Sequence, residues 1–298
     1  MQPLVSILIP AHSPQFFAQA LGSALAQTWP DVEIVVGDDC PGEEIRAIVE
    51  SMPDPRVRYE RHVPALGFGG NFTRLFELAR GEYIKYLNDD DLLAPACVQN
   101  LLVGLHKHPG TVLASSRRLL IDAEGRRLPD EDATQPIVGA SQTIEGKALG
   151  NYLILSSTNR LGEPSTVLFR KDALRVEEGT IFHWNGNEYL CLADMSLWLR
   201  LLSAGHAWWD EQPLSAYRQH GGQLQRSARG AARCVIERWL IVEDGARAGF
   251  LADPAERETA TRNAGANFRF WSQREDSPPE FKAALAEFAP RIPAGFLA

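Results

Sequence analysis

Residues 83–95 read YIKYLNDDDLLAP, a segment that passes from strand-forming residues into a run of acidic ones. Its first five residues are aromatic or aliphatic apart from one lysine, which is typical of a β-strand. An asparagine and three aspartates, residues 88–91, follow directly. Neighbouring carboxylates repel each other unless solvent or a cation relieves them. The run therefore indicates either a metal site or a turn that caps the next helix.

Strands and helices alternate on both sides of this segment. Strands are predicted at residues 5–9, 33–36, 57–60, 83–87, 111–121, 166–169 and 214–218, and helices at 13–27, 43–50, 71–80 and 194–204. Ser13 is predicted to cap the first helix, and Gly81 to end the third. This pattern predicts an α/β fold with a mostly parallel central sheet and helices on both faces.

The character of the chain changes near its end. Beyond about residue 227 it is rich in Ala, Arg and Glu and lacks strand signals. Helices are predicted near 229–249, 254–273 and 279–289. We therefore expect an α/β domain at residues 1–226 and a helical appendage at residues 227–298.

Composition limits the classes of partner. A net charge of −8 argues against broad nucleic-acid binding and against a polybasic membrane surface. The four cysteines form no CxxC pair, so neither a disulfide framework nor a zinc site is predicted, and a reducing cytoplasm is expected. No signal peptide is recognised, and no apolar run approaches the roughly 18 residues of a membrane span.

Polar residues follow several of the predicted strands. The first strand leads into Pro10, Ala11 and His12, the second into Asp39, and the fourth into residues 88–91. In parallel α/β sheets, ligands bind at the carboxyl ends of the strands. An EF-hand is excluded, because counting from residue 88 places leucine where the loop requires glycine and glutamine where it requires glutamate.

Five segments resemble the family 2 glycosyltransferases with the GT-A fold, and they occur in the order found in that family. The segments are VSILIPAHS, EIVVGDDCP, ARGEYIKYLNDDDLLAP, GEPSTVLFRKDAL and LADMSLWLRLLSAGHAWWDEQPLSAYRQH. They extend over roughly residues 4–226, which would make the α/β domain a GT-A catalytic domain with a Rossmann-like sheet.

The resemblance implies a metal-dependent, inverting transfer. The donor would be a UDP- or dTDP-sugar, and the acceptor a hydroxyl of a saccharide or lipid-linked saccharide in surface polysaccharide or glycoconjugate assembly. Mn²⁺ or Mg²⁺ would be the cofactor, since hard cations prefer oxygen ligands and stabilise a departing diphosphate.

The resemblance also assigns residues to the donor. The DxD motif of the family aligns with Asn88, Asp89 and Asp90, so its first aspartate is asparagine here. Asp90 would be the principal metal ligand, with Asp89 or Asp91 assisting and Asn88 facing the ribose or a metal-bound water. Asp39 would accept the imide N–H of uracil or thymine.

Further residues complete this implied donor site. Pro10, Ala11 and His12 would form the wall facing the nucleoside, although His12 also fits a plain surface position. Asn71 either caps the third helix or contacts the nucleotide, and capping is favoured. His220 would be a further metal ligand, the alternative being a structural histidine.

Asp194 corresponds to the catalytic base of the family. An inverting transfer needs one carboxylate that takes the proton of the acceptor hydroxyl. The acidic neighbour found in the family is Ala193 here. The alternative interpretation makes Asp194 the N-cap of the helix that begins there.

Two other functions remain open. The substitutions at Asn88 and Ala193 also fit a catalytically degenerate module that binds a nucleotide or a protein partner. A nucleotidyltransferase would need a basic, glycine-rich loop after the first strand, which IPAHSPQFF lacks. The C-terminal helices would close over the acceptor, form a homodimer or dock peripherally at a membrane.

Overall fold

The computed structural model describes residues 4–176, 179–221 and 228–297. Its strands are β1 (Val5–Ala11), β2 (Val32–Asp38), β3 (Val57–Arg61), β4 (Tyr83–Tyr86), β5 (Leu92–Leu93), β6 (Thr111–Ile121), β7 (Gln142–Ile144), β8 (Leu168–Arg170), β9 (His183–Trp184), β10 (Asn187–Glu188) and β11 (His206–Arg218). Its α-helices are α1 (Pro14–Leu25), α2 (Glu44–Ser51), α3 (Gly67–Leu78), α4 (Cys97–Leu105), α5 (Gly146–Ser156), α6 (Ala193–Ala204), α7 (Ala228–Arg247), α8 (Pro254–Gln273), α9 (Pro279–Phe288) and α10 (Ala294–Leu297).

A nine-stranded sheet forms the centre of the described chain, in the order β3-β2-β1-β4-β8-β6-β11-β5, with β7 also paired to β11. The strands β1, β2, β3, β4, β6 and β11 run in one direction, and the short strands β5, β7 and β8 oppose them. The predicted mixed α/β fold with a mostly parallel sheet is therefore confirmed.

The sheet separates two hydrophobic cores. Alternate residues of β1 face opposite sides, so Ile7 packs with α1, α2 and α4, whereas Leu8 packs with α3, α5 and α6. The core on the Leu8 side of the sheet extends into α7, α8 and α9, through residues such as Trp239 and Phe268. The predicted C-terminal helices are present and share the core of the α/β part. The domain boundary predicted at 226/227 lies outside the described residues.

The third helix differs from its prediction at both ends. It begins at Gly67 rather than Asn71, and its N-cap is Leu66. The predicted cap role of Asn71 is therefore wrong, because its side chain donates to the Gly37 carbonyl at 2.9 Å and ties α3 to β2. Gly81 does not end the helix, which stops at Leu78 with Ala79 as C-cap.

Two of the four cysteines form a disulfide, between Cys191 and Cys234. The expectation that the chain carries no disulfide is wrong for this pair. Packing of α7 against the segment before α6 brings their Cα atoms to 5.1 Å, although 43 residues separate them in sequence. Cys40 and Cys97 are buried and free.

No helix within the described ranges combines the length and the apolar character needed to cross a membrane.

Gly81 is required because another strand approaches it. A Cβ at residue 81 would lie 2.7 Å from the Ser6 nitrogen and 2.8 Å from the Leu4 carbonyl oxygen. Gly81→Ala should therefore lower the free energy of unfolding by about 1–3 kcal/mol, measured by urea denaturation. Gly139→Ala is the control, because a Cβ there meets open space. Equal stability of the two variants would contradict this explanation.

Candidate functional site

Four parallel strands deliver polar residues to one edge of the sheet. β1 ends at Ala11, β2 at Asp38, β4 just before residues 88–91, and β11 just before His220. Since these strands run in the same direction, their carboxyl ends meet. The polar residues that follow these strands therefore lie at one edge of the sheet, as the sequence predicts, and their contacts differ from one residue to the next.

The two aspartates at the end of β2 have different surroundings. Asp38 is fully buried and accepts hydrogen bonds from the Cys40 N–H and the Tyr59 hydroxyl. Asp39 Oδ1 lies 2.9 Å from His62 Nδ1 and accepts the Leu66 N–H at 3.1 Å. Its other oxygen, Oδ2, makes no hydrogen bond to the residues that the structure describes. One carboxylate oxygen of Asp39 is thus available to a ligand.

Asp89 joins the ends of β1 and β4. Its Oδ2 accepts the His12 N–H at 2.7 Å and the Ser13 N–H at 2.8 Å. Burial raises the pKa of Asp89, although these two hydrogen bonds oppose the shift. The end of β1 is held by a second contact, because the Asp39 N–H donates to the Ala11 carbonyl at 2.9 Å. Pro10, Ala11 and His12 therefore lie beside Asp39 and the acidic run.

Asp90 and His220 form a pair at this edge. His220 Nε2 lies 3.1 Å from Asp90 Oδ2, and both side chains are partly exposed. The ring of Phe16 packs against the imidazole, with centroids 5.1 Å apart. Among the described residues no cluster of three or more His, Cys, Asp or Glu side chains is suited to a metal. The pair could supply two ligands, with the remainder from a bound substrate or water.

Asp91 is fully buried, and both of its oxygens accept hydrogen bonds from other residues of the chain. Its Oδ2 accepts hydrogen bonds from the Ser165 hydroxyl at 2.6 Å and the Asn88 amide at 3.1 Å, and its Oδ1 accepts the Arg218 N–H at 3.0 Å. Burial, followed by the charge of Asp90, raises the pKa of Asp91 well above its usual range. Asp91 is therefore a structural residue, and the suggestion that it assists a metal is wrong.

Arg218 is also used internally. Its guanidinium donates to the carbonyl of Asp90, to those of Asp122 and Ala123, and to the Gln19 side chain. It is fully buried and stacks over the Phe16 ring at 4.4 Å. These contacts fix the end of β11 beside the acidic run, which places His220 next to Asp90.

Asp194 lies in the first turn of α6 and is not its N-cap, because Leu192 occupies that position. Its Oδ1 accepts the Met195 N–H at 2.7 Å, and its Oδ2 accepts the Asn159 amide at 2.8 Å. Burial, followed by the charge of Glu163, raises the pKa of Asp194 to about 7. A carboxylate with such a pKa is matched to proton transfer near neutral pH.

The loop before β8 connects Asp194 with the acidic run. Asn159 contacts Asp194, Glu163 pairs with Arg118 at 2.7 Å, and Ser165 bonds both to Asp91 and to the N–H of Asn88. The negative charge of Glu163 contributes to the raised pKa of both Asp194 and Asp91. The sequence resemblance includes the segment GEPS but predicts no role for Glu163 or Ser165.

Comparison with known proteins identifies relatives. A family model described as glycosyl transferase family 2 matches residues 6–174. An uncharacterized protein of Mycobacterium tuberculosis is 28% identical over 262 residues, covering 81% of this chain and 77% of that protein. An uncharacterized glycosyltransferase of Rickettsia typhi is 26% identical over 266 residues, an alignment that covers 85% of this chain and 79% of that protein. The succinoglycan biosynthesis protein ExoO of Rhizobium meliloti is 32% identical over 42% of this chain and 36% of its own.

Solved structures share the fold. S. aureus TarS 1-349 in complex with UDP-GlcNAc superposes with a TM-score of 0.69 at 13% identity, covering 98% of this chain and 82% of that one. The mannosyltransferase PcManGT from Pyrobaculum calidifontis, in complex with GDP-Man and Mn²⁺, superposes with a TM-score of 0.55 at 14% identity. The superposition covers 99% of this chain and 82% of that one. The GT-A fold predicted from the sequence is confirmed.

Asp91→Ala should destabilise the fold strongly. It would leave the buried donors of Ser165 and Arg218, and the half-buried amide of Asn88, without their acceptor, at about 1–3 kcal/mol for each buried unsatisfied group. Urea unfolding should show a loss of about 3 kcal/mol or more. Asp90→Ala is the matched neighbour, and it should lose much less because that carboxylate is partly exposed. Similar losses in both variants would argue against a structural role that is particular to Asp91.

Proposed function

The chain belongs to glycosyltransferase family 2, and from that premise we propose that it moves a sugar from a nucleoside-diphosphate donor to an acceptor hydroxyl with the help of a divalent cation. The donor would be a UDP- or dTDP-sugar. The acceptor would be a saccharide or lipid-linked saccharide in polysaccharide or glycoconjugate assembly, a setting that ExoO supports by its name. The observation that carries the proposal is the Asp90–His220 pair at the carboxyl edge of the sheet.

The donor site would use the residues at the strand ends. The available oxygen of Asp39 would accept the imide N–H of the base, and the backbone of Pro10, Ala11 and His12 would line the nucleoside. Asp89 would hold this wall in place through its two backbone hydrogen bonds rather than contact the nucleotide with that oxygen. Asn71 is a weaker candidate, because its amide donor is directed to Gly37.

The pair fits a hard divalent cation. Two adjacent ligands of an octahedral ion at about 2.1 Å lie about 3 Å apart, and Asp90 Oδ2 and His220 Nε2 are 3.1 Å apart. A carboxylate and a neutral imidazole are both accepted by Mn²⁺. When bound, the cation would neutralise charge on the departing diphosphate. The complex of PcManGT with Mn²⁺ supports such a cofactor for the fold.

Asp194 would be the general base. The acceptor oxygen would form a bond to the anomeric carbon while the bond from that carbon to the diphosphate oxygen breaks. The proton of the hydroxyl would pass to the Asp194 carboxylate, and the nucleoside diphosphate would leave, with inversion at the anomeric carbon. Asn159 and the Met195 N–H orient the carboxylate for this step.

Location and assembly stay predictions. A cytoplasmic enzyme, peripheral attachment to a membrane and a homodimer formed through the C-terminal helices are each compatible with a transferase that acts on lipid-linked acceptors. The disulfide between Cys191 and Cys234 means that reduced cysteines no longer argue for the cytoplasm.

Asp90→Ala should abolish metal-dependent nucleotide binding. We expect UDP or dTDP with Mn²⁺ to raise the thermal stability of the wild-type chain, by about 2.7 kcal/mol at a hundred times the dissociation constant. The variant should show no such increase, because it loses a charged ligand. Asp31→Ala, at the opposite end of β2, should behave as wild type. No stabilisation of wild type by any nucleotide would favour a degenerate module that binds a protein partner, and stabilisation without metal would remove the cation from the proposal.

Asp194→Asn should keep the nucleotide-induced stabilisation and lose turnover by about 10²–10⁴-fold, since an amide cannot accept the proton. The base acts in its ionised form, so the kcat/KM of wild type should fall as the pH drops below about 7. The same raised pKa means that ionised Asp194 disfavours the fold as the pH rises through 7. The variant should therefore be at least as stable as wild type at pH 8. Normal turnover by this variant would exclude Asp194 as the base.

A further inference from the structure

The C-terminal helix α7 carries two fully buried carboxylates, Glu237 and Asp244. They are seven residues apart, which places them on the same face of the helix two turns from each other. That face meets residues 187–192, the segment that leads into α6 and Asp194. The proposed mechanism assigns no role to either carboxylate.

Glu237 accepts three consecutive backbone hydrogen bonds. Its Oε1 accepts the Leu190 N–H at 2.9 Å, and its Oε2 accepts those of Cys191 at 2.9 Å and Leu192 at 2.7 Å. Arg233, one turn earlier on α7, donates to Oε1 at 2.7 Å. A buried charge is tolerated only with such partners, so this contact is specific in both geometry and charge.

This carboxylate serves the start of α6. Leu192 is the N-cap and has no side chain able to accept a hydrogen bond, so the helix lacks a local polar cap. Glu237, which belongs to α7, accepts the backbone N–H of the N-cap residue Leu192. It thereby places negative charge at the positive end of the α6 dipole. Asp194 follows two residues later in the first helical turn, so its position depends on where this turn is held.

Other contacts from α7 reach the same surroundings. The Cys191–Cys234 disulfide joins α7 covalently to the segment that Glu237 binds. Arg238 donates to the Ser157 carbonyl at 3.1 Å, two residues before the Asn159 that bonds Asp194. Helix α7 therefore holds both segments that contact the Asp194 carboxylate.

We propose that Glu237 is a positioning residue for Asp194, and that α7 is part of the apparatus that sets the geometry of the base. This inference rests on the proposed function of Asp194. Glu237 contacts no substrate in this scheme. It fixes the first turn of α6, so that the carboxylate of Asp194 points at the acceptor hydroxyl with its raised pKa. A small misplacement of such a group costs about 10²-fold in rate.

The test compares Glu237→Gln with wild type. The amide keeps the size of the side chain but replaces one acceptor oxygen with a donor that faces backbone N–H groups. We expect kcat for UDP release from UDP-GlcNAc to fall by about 10²-fold while KM for UDP-GlcNAc and the stabilisation by UDP with Mn²⁺ stay unchanged. Amide hydrogen exchange of residues 190–196 in the substrate-free protein should accelerate by about tenfold or more.

Asp244→Asn is the matched control. It removes a buried carboxylate from the same helix, but Asp244 bonds the side chains of Asn187 and Tyr189, upstream of the α6 start. It should lower the melting temperature comparably and leave kcat near wild type. If Glu237→Gln does not fold, Glu237→Asp supplies the test. It keeps the charge on a side chain one methylene shorter, and should reduce kcat to a lesser degree with KM unchanged.

Three results would overturn the proposal. The first is a wild-type kcat in the folded variant that is tested, whether glutamine or aspartate. The second is an equal loss of kcat and of UDP affinity, and the third is unchanged hydrogen exchange at residues 190–196. Absence of turnover in wild type with every nucleotide sugar would instead count against the proposed function. The exchange measurement needs no substrate and would still test the contact between Glu237 and α6.

Discussion

The arrangement of residues at the carboxyl edge of the sheet depends on the hydrogen bonds of the buried Asp91 side chain. It accepts hydrogen bonds from Ser165 and from the backbone of Arg218, which lie 74 and 127 residues further along the chain. The first ties the loop of Asn159 and Glu163 to the end of β4, and the second ties the end of β11 there. Because these segments meet at one buried group, Asp90 and His220 become neighbours. These donors oppose, but do not cancel, the effect of burial on the pKa of Asp91.

The mostly parallel α/β fold and the polar residues at the strand ends were predictable because they depend on local patterns. The continuous apolar run VSILI predicted β1, and the strand at residues 111–121 has the predicted bounds. Short strands such as β5 and β7 were missed, because two or three residues carry no periodicity. The start of α3 was misplaced because the glycines at residues 67, 69 and 70 argue against a helix, although tertiary packing of Phe72 and Leu75 favours one.

The roles within the acidic run were not predictable, because they depend on distant partners. Residues 89–91 are identical in sequence, but Asp89 bonds the backbone just after β1, Asp90 pairs with His220, and Asp91 is buried. The disulfide and the contacts of Glu237 likewise join segments more than 40 residues apart. A weak signal existed for Glu237, since an acidic residue between Ile236 and Trp239 interrupts an apolar face of a helix that is otherwise expected to pack.

The central claim is that a nucleoside diphosphate and a divalent cation bind at the carboxyl edge of the sheet. Crystals of the chain grown with UDP and Mn²⁺ would test it directly, through an anomalous difference map recorded at the manganese absorption edge. We predict one strong peak that contacts both Asp90 and His220 and the diphosphate, with the uracil at Asp39. Manganese bound elsewhere, or UDP bound away from Asp39 and the acidic run, would contradict the account.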